Sequence, residues 1–460
     1  MLSFTEKNIG RRSFLRVGSL GLGGLSLSSL LAAKALAAKA GSVVRDKSVV
    51  FLFMHGGPSQ TETFDPKMTA PAGVRSVTGE VKTSLPGVTY GATFEKLARM
   101  AHKLAVVRSF TTGNGNHDIK PIVCKETLGA NLGSIFARVA GTNHPVSGMP
   151  RNVALFPRAV EPKSQERVTQ FGKFDSTGSL GPGYTPFIPG GGGDLQQDML
   201  LNLPRGRLDD RRGLLARLDA LKRSIDESPA GLERFRQQAF DTLLGGVGDA
   251  FDLSKEDPRV VARYDTAPLV QPNQIGKQWN NYNNYVDNAR TLGKLMLMAR
   301  RLCERGCGFV TVTTNFVWDM HADVNNATIQ EGMQYCGLPF DHAVSTFLQD
   351  VEERGLGDDI LLVACGEMGR TPKLNARGGR DHWGGIAPLL LAGGGLNMGQ
   401  VIGESNRDAS KPATDPITNK DLVSTILHYL FNVEELRVTQ GIPGELLRLT
   451  ESGKPIRGLF

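Results

Sequence analysis

Histidines, carboxylates and an arginine recur in short polar strings, each next to a run of apolar residues. His55 and, ten residues on, Asp65 follow Ser48–Met54 (SVVFLFM). Thr111, Thr112, Asn116, His117 and Asp118 follow Leu104–Val107, and Asn315, Asp319, His321 and Asp323 follow Phe309–Thr313 (FVTVT). Glu367 and Arg370 follow Ile360–Cys365 (ILLVAC), while Arg380, Asp381 and His382 stand just before Ile386–Leu391. Four of the eight histidines lie in these strings. A divalent metal needs ligands from several chain segments; imidazole with carboxylate suits Zn, Mn or Fe, and carboxylate alone suits Mg or Ca. Taken singly, each residue has an ordinary job: a loop histidine makes hydrogen bonds, and Asp65 before Pro66 starts a turn. Their repetition beside apolar runs is what points to one site.

These strings need a scaffold that brings them to one edge. Ser48–Met54 is continuously apolar, as in a strand buried on both faces, and Leu104–Val107 follows a helical stretch at Phe94–Ala101, making a βαβ-like unit. Val286, Leu292, Leu295, Met296, Ala299 and Leu302 mark one face of a helix. Phe340, Val344, Phe347 and Val351 mark a second, and Thr418 to Asp421 reads as the capped start of a third. Strands alternating with helices predict an α/β protein with a central, mainly parallel sheet and ligands at the strands' carboxyl ends. Residues 130–278 differ in texture, being turn-rich with a glycine run at Gly190–Gly193 and then amphipathic helices, and are read as an inserted helical and loop lobe.

Several function classes fall away. The chain has no Gly-x-Ser-x-Gly elbow and no phosphate-binding Gly-x-x-x-x-Gly-Lys-Ser/Thr string. Gly393–Gly395 follows a strand but lacks the downstream acid of a dinucleotide site. The 460 residues carry a formal charge of +7, yet residues 1–37 hold Lys7, Arg11, Arg12, Arg16 and Lys34 against Glu6, leaving +3 for the rest. With no basic motif of the finger or helix-turn-helix kind, that balance gives no reason to expect nucleic acid as a partner.

Residues 1–37 read as a twin-arginine signal peptide. Ile9–Gly18 is IGRRSFLRVG, followed by an apolar run from Val17 to Ala33 and small-residue sites at Ala35–Ala37 and Ala38–Ala40. The run is broken by Gly18, Gly21, Gly23 and Gly24 and falls short of the roughly 20 apolar residues of a membrane span. The expectations are passage through the twin-arginine export machinery, a periplasmic or other extracytoplasmic location, a mature chain of 38–460 and no integral span in it. The five cysteines leave at least one thiol unpaired.

The strings HGGPSQTETFDPK (His55–Lys67), CGEMGRTPKLN (Cys365–Asn375), GGRDHWG (Gly378–Gly384) and GQVIGES (Gly399–Ser405), behind the twin-arginine leader, resemble the bacterial domain-of-unknown-function 1501 proteins over nearly the whole mature chain. That family is similar to the alkaline phosphatase and sulfatase superfamily. The resemblance implies a three-layer sandwich around a mainly parallel sheet, with a divalent metal site (Zn, Mn, Fe, Ca or Mg) at its carboxyl edge. On the superfamily's pattern Asp319 and His321 match the pair after the middle strand, Glu367 the later acid, and His382, beside Asp381, the last histidine. Where the superfamily has an acid after the first strand this chain has His55, so either His55 is a ligand or Asp65 reaches back. Thr111 and Thr112 occupy the nucleophile's place without its signature, and His117 is the alternative functional group there. The implied activity is metal-assisted hydrolysis of a phosphate or sulfate ester, with a pair of metals and with Arg370 steadying the oxyanion. The alternative is a non-catalytic envelope binding or assembly protein on the same fold.

Overall fold

The computed structural model describes residues 43–190 and 247–460. The signal segment and the helical part of the expected lobe, including Leu214 to Ile225, lie outside the described residues. Seven strands form the central sheet: β1 (Ser48–Phe53), β2 (Leu104–Val107), β3 (Asn152–Leu155), β4 (Phe309–Val312), β5 (Ile360–Cys365), β6 (Leu389–Gly393) and β7 (Gln400–Ile402). Their order across the sheet is β7-β2-β6-β5-β1-β4-β3. Strand β1 pairs in parallel with β5 and β4, β4 with β3, and β2 with β7. Only β6 runs antiparallel, against both β2 and β5.

The alternation of side chains along β1 explains the layering. Val50 and Leu52 face a core built with α2 (Tyr282–Glu304) and α3 (Leu338–Glu353), whereas Val49, Phe51 and Phe53 face a core built with α1 (Leu132–Ala140), α4 (Asn419–Leu430) and α5 (Gly444–Ser452). Strand β5 divides in the same way, with Leu362 and Ala364 on one side and Leu361, Val363 and Cys365 on the other. A strand with both faces covered must be apolar at every position, which is why SVVFLF and ILLVAC read as continuous runs. Helix α4 begins in a capping box, with Thr418 and Asp421 satisfying each other's backbone donors.

Three differences from the sequence reading concern connectivity. Strands β1 and β2 are separated by β5 and β6, so they do not form a βαβ unit. The last apolar run pairs as Leu389–Gly393, three residues later than Ile386, and turns at Gly393–Gly395, all with positive φ. Within the stretch read as a lobe, β3 is the outer strand of the main sheet and α1 packs on it, so the sheet draws on that segment. All five cysteines are free thiols. Among the described residues no helix is long and apolar enough to cross a membrane.

Because β6 is reversed, the residues before it emerge at the edge where β1, β2, β4 and β5 end. Five loops from five strands therefore meet there.

Candidate metal centre

Asp319, on the loop after β4, is the hub. It is buried, and its Oδ1 faces His382 Nε2 at 3.2 Å, His117 Nε2 at 3.7 Å and the Arg370 guanidinium. Its Oδ2 accepts from Asn326 Nδ2 at 3.0 Å and meets His321 Nε2 at 3.0 Å. Burial alone would raise the Asp319 pKa. The Arg370 charge and the hydrogen bonds from His321 and His382 outweigh it and hold the carboxyl well below the usual range. The hydrogen bond to Asp319 in turn raises the pKa of His321.

His117 arrives from the loop after β2. Its Nδ1 lies 2.9 Å from Glu367 Oε1, and Glu367 is fully buried after β5. A carboxylate only accepts, so Nδ1 carries a proton, and in the neutral ring Nε2 presents its lone pair. That Nε2 lies 3.1 Å from His382 Nε2. The backbone N–H of Gly56 reaches the same Oε1 at 2.9 Å and Oε2 at 3.2 Å, fixing the carboxylate. Gly56 has φ +112°, and a Cβ there would lie 2.5 Å from the Asp319 nitrogen, so only glycine lets the loop after β1 cross the Asp319 loop this closely. His382 is held by the short ribbon His382–Trp383 against Gly369–Arg370.

The donor set tests whether a metal fits. His117, Asp319 and His382 each offer one ligand atom, and these atoms lie within 4.8 Å of one another. Two imidazole nitrogens and a carboxylate oxygen converge, and one imidazole is oriented from behind by a carboxylate. That is the usual support of a metal-bound histidine. The set fits a divalent ion.

Arg370 and the remaining candidates have other surroundings. Arg370 is fully buried and donates to the carbonyls of Gly56, Gly57, Trp318 and Arg380 as well as to Asp319. Its donors are used inside the protein, so the oxyanion role expected for it gives way to bracing Asp319 and the loop after β1. Asp65 is turned away from the cluster, bonded to Ser405 and paired with Lys67 at 3.3 Å and Arg108 at 3.6 Å. Asp381 is exposed and bonds Asn375 at 3.0 Å. Thr111 Oγ1 donates to Gly384 O at 2.9 Å, and the Thr112 hydroxyl points to Asn114 O.

His55 is buried with both ring nitrogens lacking a hydrogen-bond partner, its ring set among Phe53, Phe171, Phe174 and Phe316. Burial lowers its pKa to about 4, against the opposing pull of Glu367. Phe171 and Phe316 stack at 4.5 Å and wall one side of His117. The sequence reading missed this aromatic wall and Asn326. It also missed the fully buried Glu62–Arg380 pair at 3.0 Å, although both residues lie inside the quoted strings.

Fold and site together define an α/β protein with a histidine–carboxylate cluster at the carboxyl edge of its sheet. The family described as "Protein of unknown function (DUF1501)" matches residues 46–460, and the chain belongs to it. No curated protein matches the sequence. Among solved structures the chain is similar to the sulfatase PsFucS1 from Pseudoalteromonas sp. (11% identity, 86% of this chain and 69% of that one, TM-score 0.36). It is similar also to the phosphonate monoester hydrolase SpPMH from Silicibacter pomeroyi (12% identity, 89% and 76%, TM-score 0.34). A third similarity is to the phosphonate monoester hydrolase of Agrobacterium radiobacter (9% identity, 90% and 79%, TM-score 0.32).

Proposed function

We propose that the chain is an exported, metal-dependent hydrolase of phosphate or sulfate esters, with His117, Asp319 and His382 holding the ion. The observation that carries this reading is the convergence of His117 Nε2, Asp319 Oδ1 and His382 Nε2 at the sheet's carboxyl edge, with Glu367 orienting His117. Two imidazoles and one carboxylate favour Zn, Mn or Fe over Ca or Mg. When bound, such an ion supplies positive charge to a phosphoryl or sulfuryl oxygen and makes water more acidic.

The chain's own residues supply the rest. Glu367 keeps the His117 proton on Nδ1. Arg370 keeps Asp319 ionised. His321 holds a proton at Nε2 against Asp319 Oδ2 and, with Asn326, fixes that carboxylate. Phe171 and Phe316 keep water from one flank of His117. Because the Thr111 and Thr112 hydroxyls are bonded elsewhere, water is the attacking group: its oxygen bonds to phosphorus or sulfur, the ester's P–O or S–O bond breaks, and the proton lost by the water ends on the departing alcohol oxygen. The twin-arginine pattern in residues 1–37 supports an extracytoplasmic setting.

The test is an ester screen, with aryl phosphates and aryl sulfates as probes, on chain loaded with Zn, Mn or Fe and on His382→Ala. Turnover in the parent that is lost in the variant supports the reading. A metal-loaded parent inert toward every ester supports the second reading, a binding or assembly protein, which the absence of a hydroxyl or thiol bonded to the cluster among the described residues favours.

A further inference from the structure

The loop that carries His117 has a second side. With the head of α4, residues 418–420, it walls a cavity of about 820 Å³ that none of His117, Asp319 and His382 lines. Lys120 lines this cavity and is only 5% exposed. Its Nζ donates to Asn114 Oδ1 at 2.8 Å and to Asn116 O at 2.9 Å. An ammonium has three N–H groups, so one donor remains beyond these two bonds. The nearest carboxylate, Asp118, is 3.9 Å away with its side chain 66% exposed, too far for a hydrogen bond and screened by water. A buried charge compensated this weakly needs a reason to be there. Burial lowers the Lys120 pKa, while Asp118 and Glu367 pull it back up. Lys125 and Lys420 also line the cavity, against Asp118 and Glu126, so the wall carries more cations than acids.

We propose that this cavity is an anion subsite, in which Lys120 donates its remaining N–H to a phosphate- or sulfate-class oxyanion that the substrate carries beyond the ester being cleaved. The identity of the ligand as a substrate rests on the hydrolase reading; the anion site itself does not need the metal. Arg370 cannot serve, since its donors are used within the protein. The competing role for Lys120 is a brace that holds the His117 loop through Asn114 and Asn116.

The experiment is calorimetric titration of inorganic phosphate and of sulfate into the full chain, metal-loaded and chelator-treated, for the parent, Lys120→Met, Lys120→Arg and His382→Ala, with metal content measured alongside. The expected result is binding by the parent with or without metal and a loss of about tenfold or more in Lys120→Met, the worth of one charge-assisted hydrogen bond. In the chelator-treated state Lys120→Arg and His382→Ala should bind like the parent, and on loading Lys120→Met should take up metal as the parent does. In the chelator-treated state, binding unchanged in Lys120→Met, binding lost in His382→Ala instead, or no binding by the parent would overturn the proposal. Loss of metal in Lys120→Met would assign Lys120 to bracing and overturn it too. A parent that takes up no metal on loading, yet binds the anion through Lys120, would end the hydrolase reading and leave the subsite standing.

Discussion

Replacing Glu367 with Gln separates a ligand from a residue that orients one. Glu367 accepts from His117 Nδ1 and from the Gly56 N–H, both at 2.9 Å, and is fully buried. Glutamine is close in size but has one acceptor and one donor end. If its oxygen takes the place of Oε1 it still accepts from His117 Nδ1 and Gly56, but the charge that holds the imidazole is gone and the NH₂ stands in the place of Oε2, facing the Gly56 N–H. If the amide turns over, its NH₂ replaces Oε1 and meets His117 Nδ1, which must then accept, and the ring proton moves to Nε2, where the cluster needs a lone pair. Loss of such outer support typically weakens metal binding by about 10- to 100-fold, or about 1.4–2.7 kcal/mol. The assay is titration of Zn or Mn into chelator-treated protein in competition with a chromophoric chelator, for the parent, Glu367→Gln and His382→Ala. The expected order is parent tightest, Glu367→Gln intermediate and His382→Ala weakest. Parent-like affinity in Glu367→Gln would refute the orienting role, and a loss equal to that of His382→Ala would make Glu367 a ligand.

Arg370→Met should destabilise the fold by about 3–5 kcal/mol, because it leaves the buried Asp319 charge and several carbonyls without their partner; denaturant unfolding measures it. His55→Phe should stabilise the metal-free chain by about 1–2 kcal/mol, since both His55 nitrogens are buried and unpaired, and should leave metal content unchanged. The pH sign is definite for His55. Its folded pKa of about 4 lies below the unfolded value of 6.5, so the unfolded state binds more protons in that window and stability falls on acidification from 6.5 to 4. His55→Phe should flatten that fall, seen as melting temperature against pH. Asp341 has the opposite sign: burial raises its pKa to about 6, despite hydrogen bonds from the Leu97 and Lys96 backbone, so stability declines as pH rises from 3.8 to 6. Asp341→Asn should remove a slope worth on the order of 3 kcal/mol over that range.

The parts of the fold that could be read from the sequence are those whose residues have no other use. SVVFLF and ILLVAC are apolar on both faces because helices cover both faces, and β-branching and continuity leave little alternative to a central strand. The direction of β6 could not be read, since an apolar run looks the same in either sense. Yet that reversal is what delivers His382 to the edge. Strand β3 is four residues among turns, and its strand character comes from pairing with β4 rather than from its own pattern. At the site, residue type pointed to Asp319, His321, Glu367 and His382, which do meet. It pointed equally to Asp65, whose partners Lys67, Arg108 and Ser405 come from three separate segments. Arg370 looked available because its partners are largely backbone carbonyls, which composition and spacing do not reveal.

Metal stoichiometry tests the central claim most directly. The chain should be purified without chelator, reloaded with Zn, Mn, Fe, Ca and Mg in turn, and measured by elemental mass spectrometry beside His117→Ala, Asp319→Asn and His382→Ala. One tightly held equivalent in the parent, reduced in all three variants, is the predicted result. No metal in the parent under any loading, or metal retained in full by all three variants, would contradict it.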